Sequence, residues 1–585
     1  MNAENLLQHF ERLSEAPDAI PCLRRFILDL AVRGKLVEQD LNDEPAVELL
    51  KQIQAEKSRR INLGEIRAPR GEESIKAVEE LFPLPPNWGW VPLSNVGLII
   101  GGGTPPSGDL DNFADEGKGI PWLTPADLGK HKSLFVAHGK RDLSQKGLDA
   151  SSATLMPAGS VLFTSRAPIG YIAIASNPIT TNQGFKSVVP YIADLSRFIA
   201  LYFQALAPWI DGKASGTTFR EVSGKIVAGL PFPLPPLTEQ YRIIAKVGAL
   251  MALCDQLEAA ESEREKRRDQ LIVACLQRLN QPAEDKIFRV DVRFIFDHLP
   301  RLITQPTHIK QLRQTILNLA VRGKLVEQNP KDEPAAILLK RIQVEKVRLE
   351  TEGEIKKDKP LNALLAVGPP FDIPTQWKWV CLGELTELIT KGSSPRWQGI
   401  TYSSEVEGVL FVTSENVGNY RLRKLNERKY VEKRFNEIEP RSVLRYGDIL
   451  MNLVGASIGR TAVYDLHDVA NINQAVALIR LVRKEANQCM PFLLHYFNSP
   501  AAIQIMLASR VVTAQPNISL TNARKFPIPF PPLAEQHRIA TRVDELMALC
   551  DQLEAQLTTT STDSRLLLEA VLHEALTPAR RGIES

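Results

Sequence analysis

Apolar residues recur on alternating four- and three-residue spacings over two long stretches of the chain. One series runs from Ile243 through Val247, Leu250, Cys254, Leu257, Leu271 and Cys275; the other runs from Ile539 through Val543, Leu546, Cys550, Leu553, Leu557, Leu567 and Val571. Such spacing lays an apolar stripe along a helix in the manner of a heptad seam. Thr238, just after Pro235-Pro236, is a candidate N-cap and Pro282 a stop, so the first helix is expected to run ~40 residues, or about 60 Å. Glu261, Arg264 and Arg268 interrupt its stripe, which leaves an amphipathic core helix as the alternative to a coiled coil. Leucine-rich, charge-laced stretches at 22–60 and 311–350 predict helical hairpins. By contrast, 92–234 and 380–530 are rich in Gly, Pro, Thr and β-branched residues, and short apolar runs such as SVLFTS and GYIAIA between turn signals predict strands.

These elements occur twice. Residues 27–39 read ILDLAVRGKLVEQ and 316–328 read ILNLAVRGKLVEQ, twelve identities in thirteen. Asp43-Glu44-Pro45-Ala46 matches Asp332-Glu333-Pro334-Ala335, and Trp88-Gly89-Trp90 matches Trp377-Lys378-Trp379. PPLTEQYRI at 235–243 returns as PPLAEQHRI at 531–539, and MALCDQLEA stands unchanged at 251–259 and 547–555. Each half therefore joins a near-constant helical frame to a divergent, strand-rich body.

Composition narrows the class. With 585 residues the chain is long enough for several compact units, and 44% hydrophobic with 24% charged residues is a globular balance. A net charge of +3 means that any attraction to nucleic acid must come from local clusters. Six dispersed cysteines without CxxC suggest neither a disulfide framework nor a zinc site, and fit reduced thiols in the cytoplasm. The acidic, polar N-terminal stretch does not resemble a secretory signal, and no apolar run approaches a membrane span.

Catalytic signatures are missing. No GxxxxGK[ST] phosphate loop occurs, and no Asn-Pro-Pro-Tyr or Asp-Pro-Pro-Tyr segment of a DNA amino-methyltransferase. Gly101-Gly102-Gly103 leads into Thr104-Pro105-Pro106, which reads as a tight turn rather than a cofactor loop. Glu354-Ile355-Lys356 has a nuclease-like spacing but sits in a lysine-rich solvated tract without a partner Asp motif.

Local charge is more telling. Residues 419–434 carry seven Lys/Arg against two Glu, and 130–146 carry five against one Asp. Each run follows a matched landmark, IPWLTPADLG at 120–129 and VLFVTSENVG at 409–418. Phosphate contact by Lys130, Lys132, Lys140 and Arg141, and by Arg421, Arg423 and Lys424, is one reading; a solvated face is the other. Thr104 and Ser107 in GGGTPPSG are matched by Lys391, Ser393, Ser394 and Arg396 in KGSSPR. Arg166 has the fork suited to guanine O6/N7 or to a structural ion pair, while the second half places Asn452 and Arg460 nearby.

In this order, repeated twice, these motifs closely resemble the DNA specificity subunit of type I restriction-modification enzymes. The carrying residues include GSVLFTSRAPIG with GDILMNLVGASIG, Thr181-Asn182-Gln183 with Ile472-Asn473-Gln474, and both PPLxEQxRI helix starts. The resemblance implies an α+β protein with two target recognition domains held apart by long antiparallel helices, and an internal pseudo-twofold repeat. It divides the chain into a helical region at 1–80, recognition domains at 81–234 and 366–530, a central helical region at 235–365 and a C-terminal helix at 531–585. It further implies a non-catalytic subunit that reads a bipartite, asymmetric DNA target. Two modification subunits and translocating restriction subunits would be its partners, and S-adenosylmethionine, ATP and Mg would act on those partners rather than here. A coiled-coil scaffold without DNA specificity is the alternative.

Overall fold

The computed structural model describes residues 16, 18–40, 42–66, 79–129, 131, 133–166, 168–215, 220–281, 285–357, 369–509 and 517–576. The chain divides into two compact units, Met1–Glu263 with Ser561–Ser585, and Arg264–Thr560.

In the first unit, helices Ala19–Val32 and Ala46–Asn62 bury Ile27, Ala31 and Val32 on one and Ala46, Leu49 and Ile53 on the other. An antiparallel ribbon of Gly89–Pro92 with Pro231–Leu234 then closes the neck of a strand-rich body. Pro231 and Pro233 are tolerated because each strand of a two-stranded ribbon has an edge that needs no ladder donor. The body is a five-stranded sheet ordered Gly97–Gly101, Lys186–Pro190, Val161–Phe163, Ile172–Ala175 and Phe135–Val136. Helix Ser196–Gly212 covers it, with Phe203 stacked 4.5 Å from Phe163, and Phe198 set edge-on to both Trp88 and Phe232.

The second unit repeats the plan. Helices Pro306–Val321 and Ala335–Thr351 precede a ribbon of Lys378–Cys381 with Pro527–Phe530. One four-stranded sheet is ordered Thr386–Lys391, Val476–Leu481, Ile449–Asn452 and Thr461–Val463. A second is ordered Tyr402–Ser403, Tyr430–Glu432, Gly408–Val412 and Ala470–Ile472. Phe492 on helix Met490–Phe497 meets Trp377 edge-on at 6.0 Å, as Phe198 meets Trp88. The architecture is thus α+β, with two strand-rich domains on one repeated frame.

Both long helices form, Leu237–Asn280 and Leu533–Leu576, each of 44 residues. Two expectations about them are corrected. Thr238 lies inside the first turn and does not cap it; its hydroxyl donates to Asp43 Oδ1 at 2.6 Å. The expected heptad seam also fails beyond Cys254, because Leu257 and Leu271 are exposed while Ile272, Leu276 and Leu279 are buried. Cys254 to Ile272 and Cys550 to Leu568 are each eighteen residues, five turns of an α-helix at 3.6 residues per turn, so the buried face follows the helix's own period. The proposed stop at Pro282 lies outside the described residues.

The repeated sequence blocks meet in one joint. In the first unit the Glu239 carboxylate, almost fully buried, accepts the Trp88 indole N–H at 2.8 Å and the Gln39 amide at 2.5 Å. Beside it Arg242 grips Asp43 through two hydrogen bonds of 3.0 and 2.6 Å. Gly34, at φ +66°, passes so close to Pro85 that an added Cβ would lie 2.4 Å from its Cγ. The second unit repeats each part: Glu535 holds Trp377 at 3.0 Å and Gln328 at 2.5 Å, Arg538 pairs with Asp332 at 2.6 Å, and Gly323, at φ +69°, passes Pro374. AVRGKLVEQ, DEPA, the Trp-x-Trp opening and EQxRI are therefore one device that fixes hairpin, ribbon and long helix to each other.

This joint has a testable pH signature. Burial lifts the Glu239 carboxyl above its usual 4.5, against the opposing donors Trp88 and Gln39. The folded chain then holds this proton more tightly than the unfolded chain, so Glu239's contribution is full below about 4.5 and is lost as pH rises through the folded value. Asp43 behaves oppositely: Arg242 holds it below its usual 3.8, and its contribution is lost as pH falls through the folded value. Glu239→Gln is expected to flatten the first slope. Glu239→Ala is expected to cost about 2–3 kcal/mol by leaving two buried donors unpaired. Urea midpoints across pH check both.

Candidate nucleic-acid interface

In each domain the loop after the sheet's first strand is pressed against the loop carrying the Asn-Gln pair. A Cβ on Gly102 would lie 2.1 Å from Asn182 O and 2.2 Å from Thr181 O, and one on Gly392 would lie 1.7 Å from Ile472 O. Only glycine allows that approach. Beneath both loops a short parallel strand pair recurs, Trp122–Leu123 with Thr180–Thr181 and Leu410–Val412 with Ala470–Ile472. Asn182 N donates to Leu123 O at 2.9 Å, and Asn473 N to Val412 O at 3.1 Å. The glycine loop, the Asn-Gln loop and the strand that precedes the basic run are thereby brought together twice, by the same backbone contacts.

The side chains on this frame differ between domains. In the first, Thr104 and Ser107 are exposed, and the Thr104 hydroxyl bonds Gln183 Oε1. Lys140 is exposed and makes no ion pair among the described residues. Arg141 lies over the Phe113 ring at 3.8 Å, an aromatic seat that orients its guanidinium while leaving it open to solvent. Lys146, from the same run, is taken up by Asp109 at 2.8 Å and Asp111 at 3.4 Å. Lys130 and Lys132 lie outside the described residues.

Arg166 is exposed and carries an ion pair. Its Nε donates to Glu221 at 2.8 Å, and Lys186 reaches the other oxygen at 3.1 Å. Burial opposes ionisation of Glu221, yet these two cations hold its carboxyl below the usual range.

In the second domain Lys391 and Arg396 are exposed, and Ser393 and Ser394 half-buried, around the turn Pro395–Gln398. Trp397, which the sequence reading passed over, stands 76% exposed on that turn. Its signal was present as a tryptophan next to an arginine inside a Ser-Pro turn, where a core residue is not expected.

Arg421, Arg423 and Lys424 form an exposed arc. The segment is held in an unusual backbone, with Tyr420 at φ 68° and Lys424 at φ 53°. Such residues cost free energy that the surroundings must supply. Here Tyr420 N bonds Thr461 O at 2.8 Å, its hydroxyl lies 3.3 Å from His495 Nδ1, and Arg423 N bonds Asn416 O at 2.9 Å.

Asn452 is corrected as a contact residue. It is fully buried and donates to Ser414 O at 2.9 Å and Ser457 Oγ at 3.2 Å, so it supports the loop from within. The backbone pairs it with Thr164 rather than with Arg166: Thr164 N bonds Tyr171 O as Asn452 N bonds Arg460 O. Arg460 itself is half-buried at the loop's end.

Among the described residues no group of three or more His, Cys, Asp or Glu is arranged to hold a metal, and no helix is long and apolar enough to cross a membrane. All six cysteines are free.

Comparison with known proteins agrees with this duplicated plan. Residues 85–265 and 374–560 each match the family model described as the type I restriction modification DNA specificity domain. The type I restriction enzyme EcoEI specificity subunit of Escherichia coli is 29% identical over 566 residues, covering 95% of this chain and 93% of that protein. The EcoAI specificity subunit of Escherichia coli is 29% identical over 577 residues, with the same coverage of 95% and 93%. Among solved structures, the HsdS subunit of Thermoanaerobacter tengcongensis aligns with a TM-score of 0.41 at 21% identity, covering 85% of this chain and 98% of that one. Because the two matched stretches take in both strand-rich bodies, their closing ribbons and the start of each long helix, the chain belongs to the type I restriction-modification DNA specificity family.

Proposed function

We infer that this chain is the DNA-reading subunit of a type I restriction-modification complex, in which 81–234 and 366–530 each read one half of a bipartite, asymmetric target. The observation that carries this is a single loop frame built twice and furnished differently. Thr104, Ser107, Lys140 and Arg141 furnish the first copy, and Lys391, Ser393, Ser394, Arg396, Arg421, Arg423, Lys424 and Arg460 the second. A repeated frame suits two half-sites about one helical turn apart, and divergent side chains suit different bases. The helical regions 1–80, 235–365 and 531–585 serve as frame and spacer.

Adenine methylation and restriction belong to partner subunits, which would carry S-adenosylmethionine, ATP and Mg; no catalytic group is assigned to this chain, and its setting is the cytoplasm. Two copies of the modification subunit fit the repeat for a further reason. MALCDQLEA is identical in both halves although most of it faces solvent. Arg24 with Asp255 and Glu258, and Arg313 with Asp551 and Glu554, account for the acids. Leu253, Leu257 and Leu549 remain half-exposed. A face kept alike on two otherwise divergent halves is what one partner bound twice requires. Leu253→Glu with Leu549→Glu is therefore expected to weaken co-purification of the modification subunit at least tenfold without moving the melting temperature.

Single-molecule methylome sequencing of cells expressing the chain with its modification subunit tests the central reading. Methyladenine in one bipartite motif is expected, and exchange of 92–234 should alter one half-site only. Unchanged methylation with an assembled complex would favour the scaffold.

A further inference from the structure

We propose that Trp397 is a wedge that opens one base step in the half-site read by the second domain. The proposal rests on the reading of that domain as a DNA reader.

The other six tryptophans are buried or half-buried, whereas Trp397 is 76% exposed. It is not on a loose tip. Pro395 beneath it is buried, Trp397 N bonds Ser394 O at 3.0 Å, and Ile400 N bonds Pro395 O at 2.9 Å. Gln398 donates to Ser393 Oγ at 3.1 Å and to Glu439 Oε1 at 3.0 Å, and Gly399, at φ +69°, closes the turn. A rigid turn that holds a large flat apolar ring in water is preorganised for a surface that will cover it. Arg396 precedes it on the turn and Lys391 ends the strand that leads into the turn; both are exposed and make no ion pair among the described residues, so a covering surface with anionic groups is favoured. The faces of DNA bases framed by phosphates have both properties, and apolar side chains inserted between base steps unstack and kink a duplex.

The first domain supplies the contrast. Its matching loop also bears one exposed apolar residue, Leu110, at 77%. That residue stands between Asp109 and Asp111, which share one cation, Lys146. With two carboxylates sharing one cation, Leu110 has no cationic rim to match phosphates on either side of a base step, so the wedge is assigned to the second half-site alone.

The test uses the full chain with its modification subunit and a duplex of the methylated sequence, carrying 2-aminopurine at each adenine in turn except the methylated ones. Fluorescence is expected to rise at one step of one half-site with the wild type, to persist with Trp397→Phe and to vanish with Trp397→Ala. Trp397→Ala should bind about 10- to 100-fold more weakly, with its melting temperature unchanged. A mismatch at the opened step should restore its binding to within a few-fold, because a step already unstacked needs no wedge. Equal binding by Trp397→Ala, or a defect that no mismatch relieves, overturns the proposal. So does a Trp397 emission change on adding the modification subunit alone, which would assign the ring to a protein partner. If the wild-type complex prefers no duplex, the reading of the domain fails and the wedge with it.

Discussion

Asp448→Ala is expected to destabilise the second strand-rich domain by about 3–5 kcal/mol, the cost of leaving a buried cation without its partner. Asp448 accepts Arg480 Nε at 2.7 Å and Nη2 at 2.6 Å, and also the Arg445 backbone N–H at 2.7 Å; the Asp448 side chain is 3% exposed and that of Arg480 13%. The first domain reveals what the fold itself needs there. Ile449 pairs with Ile479 as Val161 pairs with Val188, so Ser160 and Val189 occupy the places of Asp448 and Arg480. Ser160 simply donates to Pro157 O at 2.7 Å, and Val189 is buried. The same backbone thus forms without the ion pair. Asp448→Ser with Arg480→Val should therefore recover most of what Asp448→Ala loses, since removing both partners removes the unpaired charge. Nearby Glu387 would retain Arg483 at 3.5 Å and Arg445 at 3.8 Å. Denaturant midpoints at constant m-value are the measurement. A double variant as unstable as the single one would mean that the pair itself organises the domain.

Replacing Arg421, Arg423 and Lys424 together by alanine is expected to weaken DNA binding by about two to three orders of magnitude at low salt, with little effect on folding. If each meets one phosphate, the slope of log K against log salt falls by about 2.7, at about 0.9 per contact. Between about 50 and 200 mM salt the wild type should then lose roughly 40-fold more affinity than the variant. The order of preference among DNA sequences should stay nearly constant, because phosphate contacts position and do not specify. Lys429 and Arg428 serve as internal controls. Lys429 is engaged by Glu415 at 3.2 Å, and Arg428 by Asp468 at 3.7 Å and the Leu425 carbonyl at 3.2 Å, a firmer hold than the 3.8 Å approach of Lys424 to Glu427, so their replacement should move the slope less. A slope unchanged in the triple variant would make the basic arc a solvated face.

These two predictions draw on different levels of information. The basic run is plain in the sequence, and so is its recurrence after a matched strand. The Asp448–Arg480 pair is invisible there: Asp448 lies in GDILMNLVGASIG, but its counterpart in the first half is Ser160, and Arg480 belongs to no repeated block.

The repeat, the long helices, the strand-rich bodies and the family resemblance were legible in residue order alone, since block-by-block identity and local periodicity need no knowledge of contacts. It also picked out the repeated blocks of the joint, though not Pro85 and Pro374, which pack on Gly34 and Gly323. That these blocks form one object emerged from the fold, because Gln39 and Glu239 meet across 200 residues of chain. Tertiary structure likewise decided the individual side chains: Arg166 turned to Glu221, Asn452 turned inward, and Trp397 was left in water. The physical reason is that a helix or strand is specified by neighbours along the chain. The fate of a charged or aromatic side chain instead depends on which distant groups the fold places within hydrogen-bonding or van der Waals reach.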